Sequence, residues 1–141
     1  MLEQIETSRE SKMSFEYPEN FRYTDSHEYV EVTAGIAKIG VSAFAVDQLG
    51  DIVFVELPEV GDTITKGSAF GSIESVKAVE DLKAPVSGKV IKRNDSAIDA
   101  PEIISTDPYT GGWLLEVQVD DTSALEGTFS ATEYRVKVEG A

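Results

Sequence analysis

The segment Glu74-Ser75-Val76-Lys77-Ala78 sets one lysine between two runs that read as strands, Ala69 to Val76 and Val79 to Ala84. Pro85-Val86-Ser87-Gly88 closes the second run as a turn. Lysine at the tip of such a hairpin projects its primary amine into solvent, within reach of another protein. Exposed hairpin lysines also serve solubility alone, so this spacing by itself leaves both roles open. The chain has no cysteine, and its one histidine is His27. That excludes disulfides, thiolate zinc sites, a cysteine nucleophile and a redox couple borne by the polypeptide. A Ser-His-Asp triad would have to be built on His27. Redox or group-transfer chemistry therefore requires a reactive group brought in from outside.

Other residues with chemical potential carry weaker signals. One histidine beside Glu28, without further clustered ligands, predicts a structural hydrogen-bonding role for His27. Asp51, Glu56, Glu59 and Asp62 are not spaced as an EF-hand loop and read as a solvated acidic edge facing basic partners. The 141 residues carry 26 acids against 12 bases, a formal net charge of −14. Residues 1–30 hold 7 acids and 3 bases, residues 31–90 hold 9 and 5, and residues 91–141 hold 10 and 4. No segment is basic, so neither nucleic acid nor an anionic membrane surface is expected as a partner. The longest apolar runs, such as Ile52-Val53-Phe54-Val55, are too short for a transmembrane helix. Glu3, Glu6 and Glu10 are unlike an organelle transit peptide, and a cytoplasmic monomer is expected.

The elements that must position Lys77 are short strands punctuated by glycine and proline. Residues 1–14 are polar and predict a flexible arm, with Met13 a candidate natural start; residues 15–141 predict one domain. Tyr29 to Val32 and Ile36 to Gly40 predict strands around an Ala34-Gly35 turn. Ser42 predicts the N-cap of a helix from Ala43 to Gln48, stopped by Gly50. Asp51 to Leu57 is apolar on both faces and predicts a central strand, and Pro58 to Asp62 a turn. Gly88 to Ile91 predicts a further strand, and Asp99 to Tyr109 an irregular stretch. From Trp113 to Val119 the pattern alternates, placing Trp113, Leu115, Val117 and Val119 on one core face. Thr122 to Glu126 predicts one helical turn, and Ser130 with Glu133 a capping box opening a helix to about Val138. Turns every 8–12 residues predict a small β-sandwich or flattened barrel.

In order and spacing, Leu49-Gly50-Asp51-Ile52-Val53-Phe54-Val55-Glu56-Leu57-Pro58, Val60-Gly61-Asp62, Glu74-Ser75-Val76-Lys77-Ala78 and Ala84-Pro85-Val86-Ser87-Gly88-Lys89-Val90 resemble a lipoyl domain. With Ser26-His27-Glu28, Asn94, Pro108-Tyr109 and Gly112-Trp113, the chain resembles the H-protein family of the glycine cleavage system from about Tyr23 to Tyr134. The resemblance implies a mainly β, lipoyl/biotinyl-type sandwich with short helices and a C-terminal helix. It also implies lipoate bound covalently to Lys77 on a carrier that is not itself an enzyme. Lysine stem and octanoyl chain together would reach about 14 Å.

The partners implied are a pyridoxal-phosphate glycine decarboxylase (P-protein), an aminomethyltransferase (T-protein), dihydrolipoamide dehydrogenase (L-protein) and a lipoate-attaching enzyme. Ser26, Glu28 and Asp81 correspond to the family's cleft for the loaded arm, where carboxylates suit a protonated amine. The chain departs from the family at Tyr29, usually tryptophan, at Val41-Ser42, at Val46 after Ala45, and at Ser105, often asparagine. Tyr29 and Ser105 are the departures expected nearest the cleft. Competing readings are a lipoyl or biotinyl carrier serving another complex or lipoate relay, a hydrolase pairing Glu28 with Asp81, and an unmodified binding module.

Overall fold

The computed structural model describes residues 15–119 and 125–140. The expected arm at residues 1–14 lies outside the described residues, as does most of the helical turn expected at Thr122 to Glu126. A six-stranded antiparallel sheet is built, in spatial order, from β1 (Arg22–Tyr23), β2 (Glu28–Thr33), β3 (Ile36–Val41), β9 (Leu115–Gln118), β8 (Gly88–Arg93) and β5 (Thr63–Ile64). A three-stranded sheet sets β4 (Ile52–Glu56) beside β6 (Ala69–Ser75), and β6 beside β7 (Val79–Lys83). The core lies between the two sheets. Val30, Ile39, Val90 and Val117 come from the larger, and Val55, Ile73 and Leu82 from the smaller, all fully or nearly fully buried. The expected β-sandwich is what forms.

Local chemistry explains most boundaries. Ala34 and Gly35 both hold positive φ, giving β2 and β3 a two-residue turn whose twist suits an antiparallel pair. Gly40 sits opposite Tyr29, where an added Cβ would fall 2.5 Å from the tyrosine ring. Helix α1 (Ala43–Leu49) starts where the Ser42 hydroxyl accepts from the Ala45 N–H and ends as Gly50 takes φ +80°. Helices α2 (Asp95–Asp99) and α3 (Glu102–Thr106) occupy much of the stretch expected to be irregular. Helix α4 (Ala131–Glu139) opens on the expected capping box of Ser130 and Glu133 and ends on left-handed Gly140. The backbone N–H of Ser130 holds the Glu133 carboxyl below its ordinary range.

Two expectations are corrected. The Ile52–Glu56 strand is an edge strand, not a central one. A bulge between Ile52 and Phe54 breaks the alternation, so Val53 and Phe54 both stay half exposed beside buried Ile52 and Val55. Trp113 is not core either. It precedes β9, half-buried, with the Lys92 ammonium 5.7 Å from its ring centre, while Leu114 and Leu115 take the buried positions. On the larger sheet, Glu31 pairs with Lys38, Lys38 with Glu116 and Glu116 with Lys92, a row of alternating charge across four strands.

Where β6 passes β4, Gly71 lies so close that an added Cβ would collide with the Glu56 carbonyl. Gly71→Ala is therefore expected to lower the unfolding free energy by about 1–3 kcal/mol, the usual cost of overpacking. Urea titration reads this as a lower midpoint, and an unchanged midpoint would contradict the close β4–β6 approach.

Candidate functional site

Lys77 lies at the β6–β7 hairpin tip, where its root is fixed and its amine exposed. The buried Ser75 hydroxyl accepts from the N–H groups of Lys77 (3.0 Å) and Ala78 (3.1 Å) and donates to the Ala78 carbonyl (3.3 Å). The Ser75 N–H donates to that same carbonyl at 2.8 Å. The Val76 N–H donates to the Asp51 carbonyl (3.1 Å), which ties the tip to the start of β4. All four tip amides, Ser75 to Ala78, therefore have fixed partners, and the lysine root has little freedom. The amine itself donates to the Gln48 carbonyl in the last turn of α1 (3.2 Å), where the helix end favours positive charge.

Beside the tip opens a cleft of about 670 Å³ between the α1 helix, the β1–β2 loop and the free edge of β7. Val41, Ala45, Leu49, Ile73 and Leu82 supply apolar wall, and Ser26, Glu28 and Asp81 supply polar lining. The structure thus brings all four expected site residues, Lys77 included, to one cleft. Ser26 and Asp81 are exposed, whereas Glu28 is 1% exposed. Its Oε1 accepts from the hydroxyls of Ser26 (2.5 Å) and Thr24 (2.8 Å), and its Oε2 from the backbone N–H of Lys83 on β7 (3.0 Å). Burial pushes the Glu28 carboxyl above its ordinary value, against these bonds, which pull it down.

The loop carrying Ser26 and Glu28 is held from behind. His27 sits at φ +76°, a conformation usually left to glycine, and its N–H donates to the Thr24 carbonyl. Its Nδ1 lies 2.8 Å from the Tyr134 hydroxyl on α4, which lies 2.7 Å from the Ser42 hydroxyl. The Ser42 N–H donates to the His27 carbonyl (2.9 Å). Burial pushes the His27 imidazole below its ordinary value, so near neutral pH it is an uncharged hydrogen-bonding group, the structural role expected of it.

Thr24, Ser42, Lys83 and Tyr134 are the supporting residues that sequence reasoning missed. Thr24 lies four residues before Glu28, but nothing in the pattern indicates that their side chains meet. Tyr29 and Ser105 are not on the cleft, contrary to expectation. Tyr29 is fully buried, stacked on Phe21 (4.6 Å between ring centres), with its hydroxyl donating to the Pro108 carbonyl. Of the departures, Val41 is the one that lines it.

Two sheets presenting a lysine on a pinned hairpin tip define the class: a lipoyl-type β-sandwich. The family model described as glycine cleavage H-protein matches residues 21–140. A glycine cleavage system H protein of Nostoc punctiforme is 59% identical over 128 residues, covering 91% of this chain and 99% of its own. One of Acaryochloris marina is 56% identical over 128 residues, 91% of this chain and 100% of its own. The crystal structure of a glycine cleavage system H protein from Mycobacterium marinum superposes with a TM-score of 0.78 at 37% identity, over 89% of this chain and 100% of that one. The chain belongs to the glycine cleavage H-protein family.

A raised Glu28 means that the folded chain binds this proton more tightly than the unfolded chain does. The stability it contributes is present at low pH. It is lost as pH rises from the ordinary glutamate value of about 4.3 through the folded one. A carboxyl ¹³C titration should place the Glu28 midpoint above the ordinary value. Ser26→Ala, removing a bond that favours the charged form, should raise it further; a midpoint that falls would contradict the hydrogen bonding described.

Proposed function

We propose that this chain is the lipoyl carrier of the glycine cleavage system, with lipoate in amide linkage to Lys77. The observation that carries this is the fit of the site: a fixed lysine root at the mouth of a cleft with apolar walls and a carboxylate-bearing polar lining. A lipoyl group on Lys77 would supply the disulfide that the cysteine-free polypeptide lacks, accepting the aminomethyl group of glycine and carrying reducing equivalents. Val41, Ala45, Leu49 and Ile73 suit the apolar length of such an arm. Ser26, Glu28 and Asp81 suit its aminomethyl end. Roughly four lone-pair positions are available on a carboxylate, and Glu28 commits three of them to internal donors.

The polypeptide's work is to bind, orient and present rather than to catalyse. Ser75 fixes where the arm begins, and the cleft beside it gives a charged amine somewhere to rest away from bulk water. Glycine decarboxylase, the aminomethyltransferase and dihydrolipoamide dehydrogenase are its working partners, and a lipoate-attaching enzyme loads it. It works as a cytoplasmic monomer. Among the described residues no helix is long and apolar enough to cross a membrane.

The full chain, incubated with lipoate, ATP and a lipoate-attaching enzyme, should yield a peptide containing Lys77 heavier by one lipoyl group, and Lys77→Arg should yield none. An unmodified lysine, or a biotinyl increment on the native protein, would overturn the assignment. Glycine with the decarboxylase should then reduce the loaded chain. Reduction by a 2-oxoacid dehydrogenase instead would reassign the pathway.

A further inference from the structure

The enzyme that forms the bond at the Lys77 amine differs from every later partner in one geometric respect. Later partners receive an arm about 14 Å long and can keep their distance, whereas the loading enzyme must bring an activated carbonyl within bonding distance of Nζ. It therefore has to cover the hairpin tip itself. What lies around that tip is unusual for a solvated surface. Phe54 on β4, Glu74 on β6 and Val79 on β7 stand side by side in register, so their side chains project from one face of the small sheet. Val55, Ile73 and Glu80 form the next row, on the opposite face, where Val55 and Ile73 are buried in the core. Phe54 is 50% exposed and Val79 63%, joined by the bulged Val53 at 50% and by Val76, next to Lys77, at 69%. These are four of the seven large hydrophobic residues that are exposed among the described residues, and they lie on one sheet and its tip. Single exposed apolar residues need no explanation, but a contiguous group ringed by polar residues marks an interaction surface.

The rim has one sign. Residues 47–62 contain Asp47, Asp51, Glu56, Glu59 and Asp62 and neither lysine nor arginine. All five are exposed, as is Glu74 at the centre of the apolar row. On the broad sheet, by contrast, acids and bases alternate across the strands. Acids left without bases beside an apolar centre are complementary to an apolar patch bordered by lysine and arginine.

We propose that the face formed by Val53, Phe54, Val76 and Val79, with Glu74 at its centre and Asp51 and Glu56 at its rim, is the docking surface of the enzyme that acylates Lys77. That partner presents an apolar patch with a basic border. The inference rests on the reading of Lys77 as the acylation site. In the reaction served, the Lys77 nitrogen attacks the carbonyl carbon of a lipoyl adenylate. The amide C–N bond forms, the bond from that carbon to the phosphate oxygen breaks, AMP leaves, and the amine gives up a proton to solvent.

Steady-state lipoylation of the full chain by a purified lipoate-attaching enzyme, with lipoate and ATP, tests the surface. The double variant Phe54→Ser, Val79→Ser should raise KM for the chain by about tenfold or more, with kcat changed by less than about twofold. Glu56→Lys should raise KM as well, and wild-type KM should rise with ionic strength from about 0.05 to about 0.3 M. Acetylation of Lys77 by a small activated ester, which needs no docking, should proceed at the same rate in wild type and variants. Wild type modified with unchanged KM in both variants would overturn the docking surface alone. A parallel loss of reactivity to the small ester would overturn it too, by placing the effect in the hairpin. A wild type that is not modified at all would overturn the Lys77 reading and the docking surface with it.

Discussion

Burying a carboxylate costs several kcal/mol unless its oxygens are supplied with donors, and this requirement at Glu28 organises the site. Glu28 begins β2, in the larger sheet, and the donor that completes its set is the backbone N–H of Lys83, on the free edge of β7 in the smaller. The acid thereby ties the two sheets where the hydrophobic core gives way to the cleft. An edge strand has N–H groups that its own sheet leaves unsatisfied, and Lys83 spends one of them on Glu28. Thr24 and Ser26 complete the arrangement from the loop before β2, so the residues that satisfy the acid also shape the polar lining.

From that tie the supports run in two directions. Behind the loop, His27, Tyr134 and Ser42 link it to α4 and to the N-cap of α1. A left-handed histidine costs on the order of 1 kcal/mol or more, and its persistence here is explained by side-chain and carbonyl partners that a glycine could only half replace. In front, α1 runs along the cleft, and its last turn holds the Lys77 amine through Gln48. The helix thus meets the lysine at one end and the loop of Ser26 and Glu28 at the other. Tyr134 on α4 meets this same helix at its N-cap, Ser42.

Much of this was legible in the sequence where the signal is local. The hairpin around Lys77, the Ala34-Gly35 turn, the Ser42 N-cap and the Ser130–Glu133 box each depend on residues a few positions apart, and each forms as read. The sandwich followed from turn spacing. The failures share a different cause. The β4 segment is apolar at every inner position, and only its pairing, with one bulged residue and no neighbour on one side, shows that Val53 and Phe54 face outward. Trp113 fits the alternation of β9 but precedes the strand, so the period does not govern it. Ser26, Glu28 and Asp81 were legible only through family resemblance. The bonds that join Glu28 to Lys83 and His27 to Tyr134 span 55 and 107 residues of chain, beyond any local pattern.

The charge shows the same contrast between chain and space. Along the sequence the acids are spread through the chain, and each of the three segments counted carries more acids than bases. In the fold they are less dispersed. Glu31, Lys38, Glu116 and Lys92 fall into a row in which each neighbour is opposite in sign, so the broad sheet largely neutralises itself. The acids of β4 and its flanking turns have no such partners in register. Phe54 pairs with Glu74, Glu74 with Val79, Glu56 with Ser72, and Ser72 with Asp81. Register, which shifts a whole strand's side chains together, therefore converts a distribution spread along the chain into a quiet face and a strongly negative one. The negative one adjoins the hairpin tip that carries Lys77, so part of the net charge of −14 is gathered beside the lysine that the proposed partner has to reach.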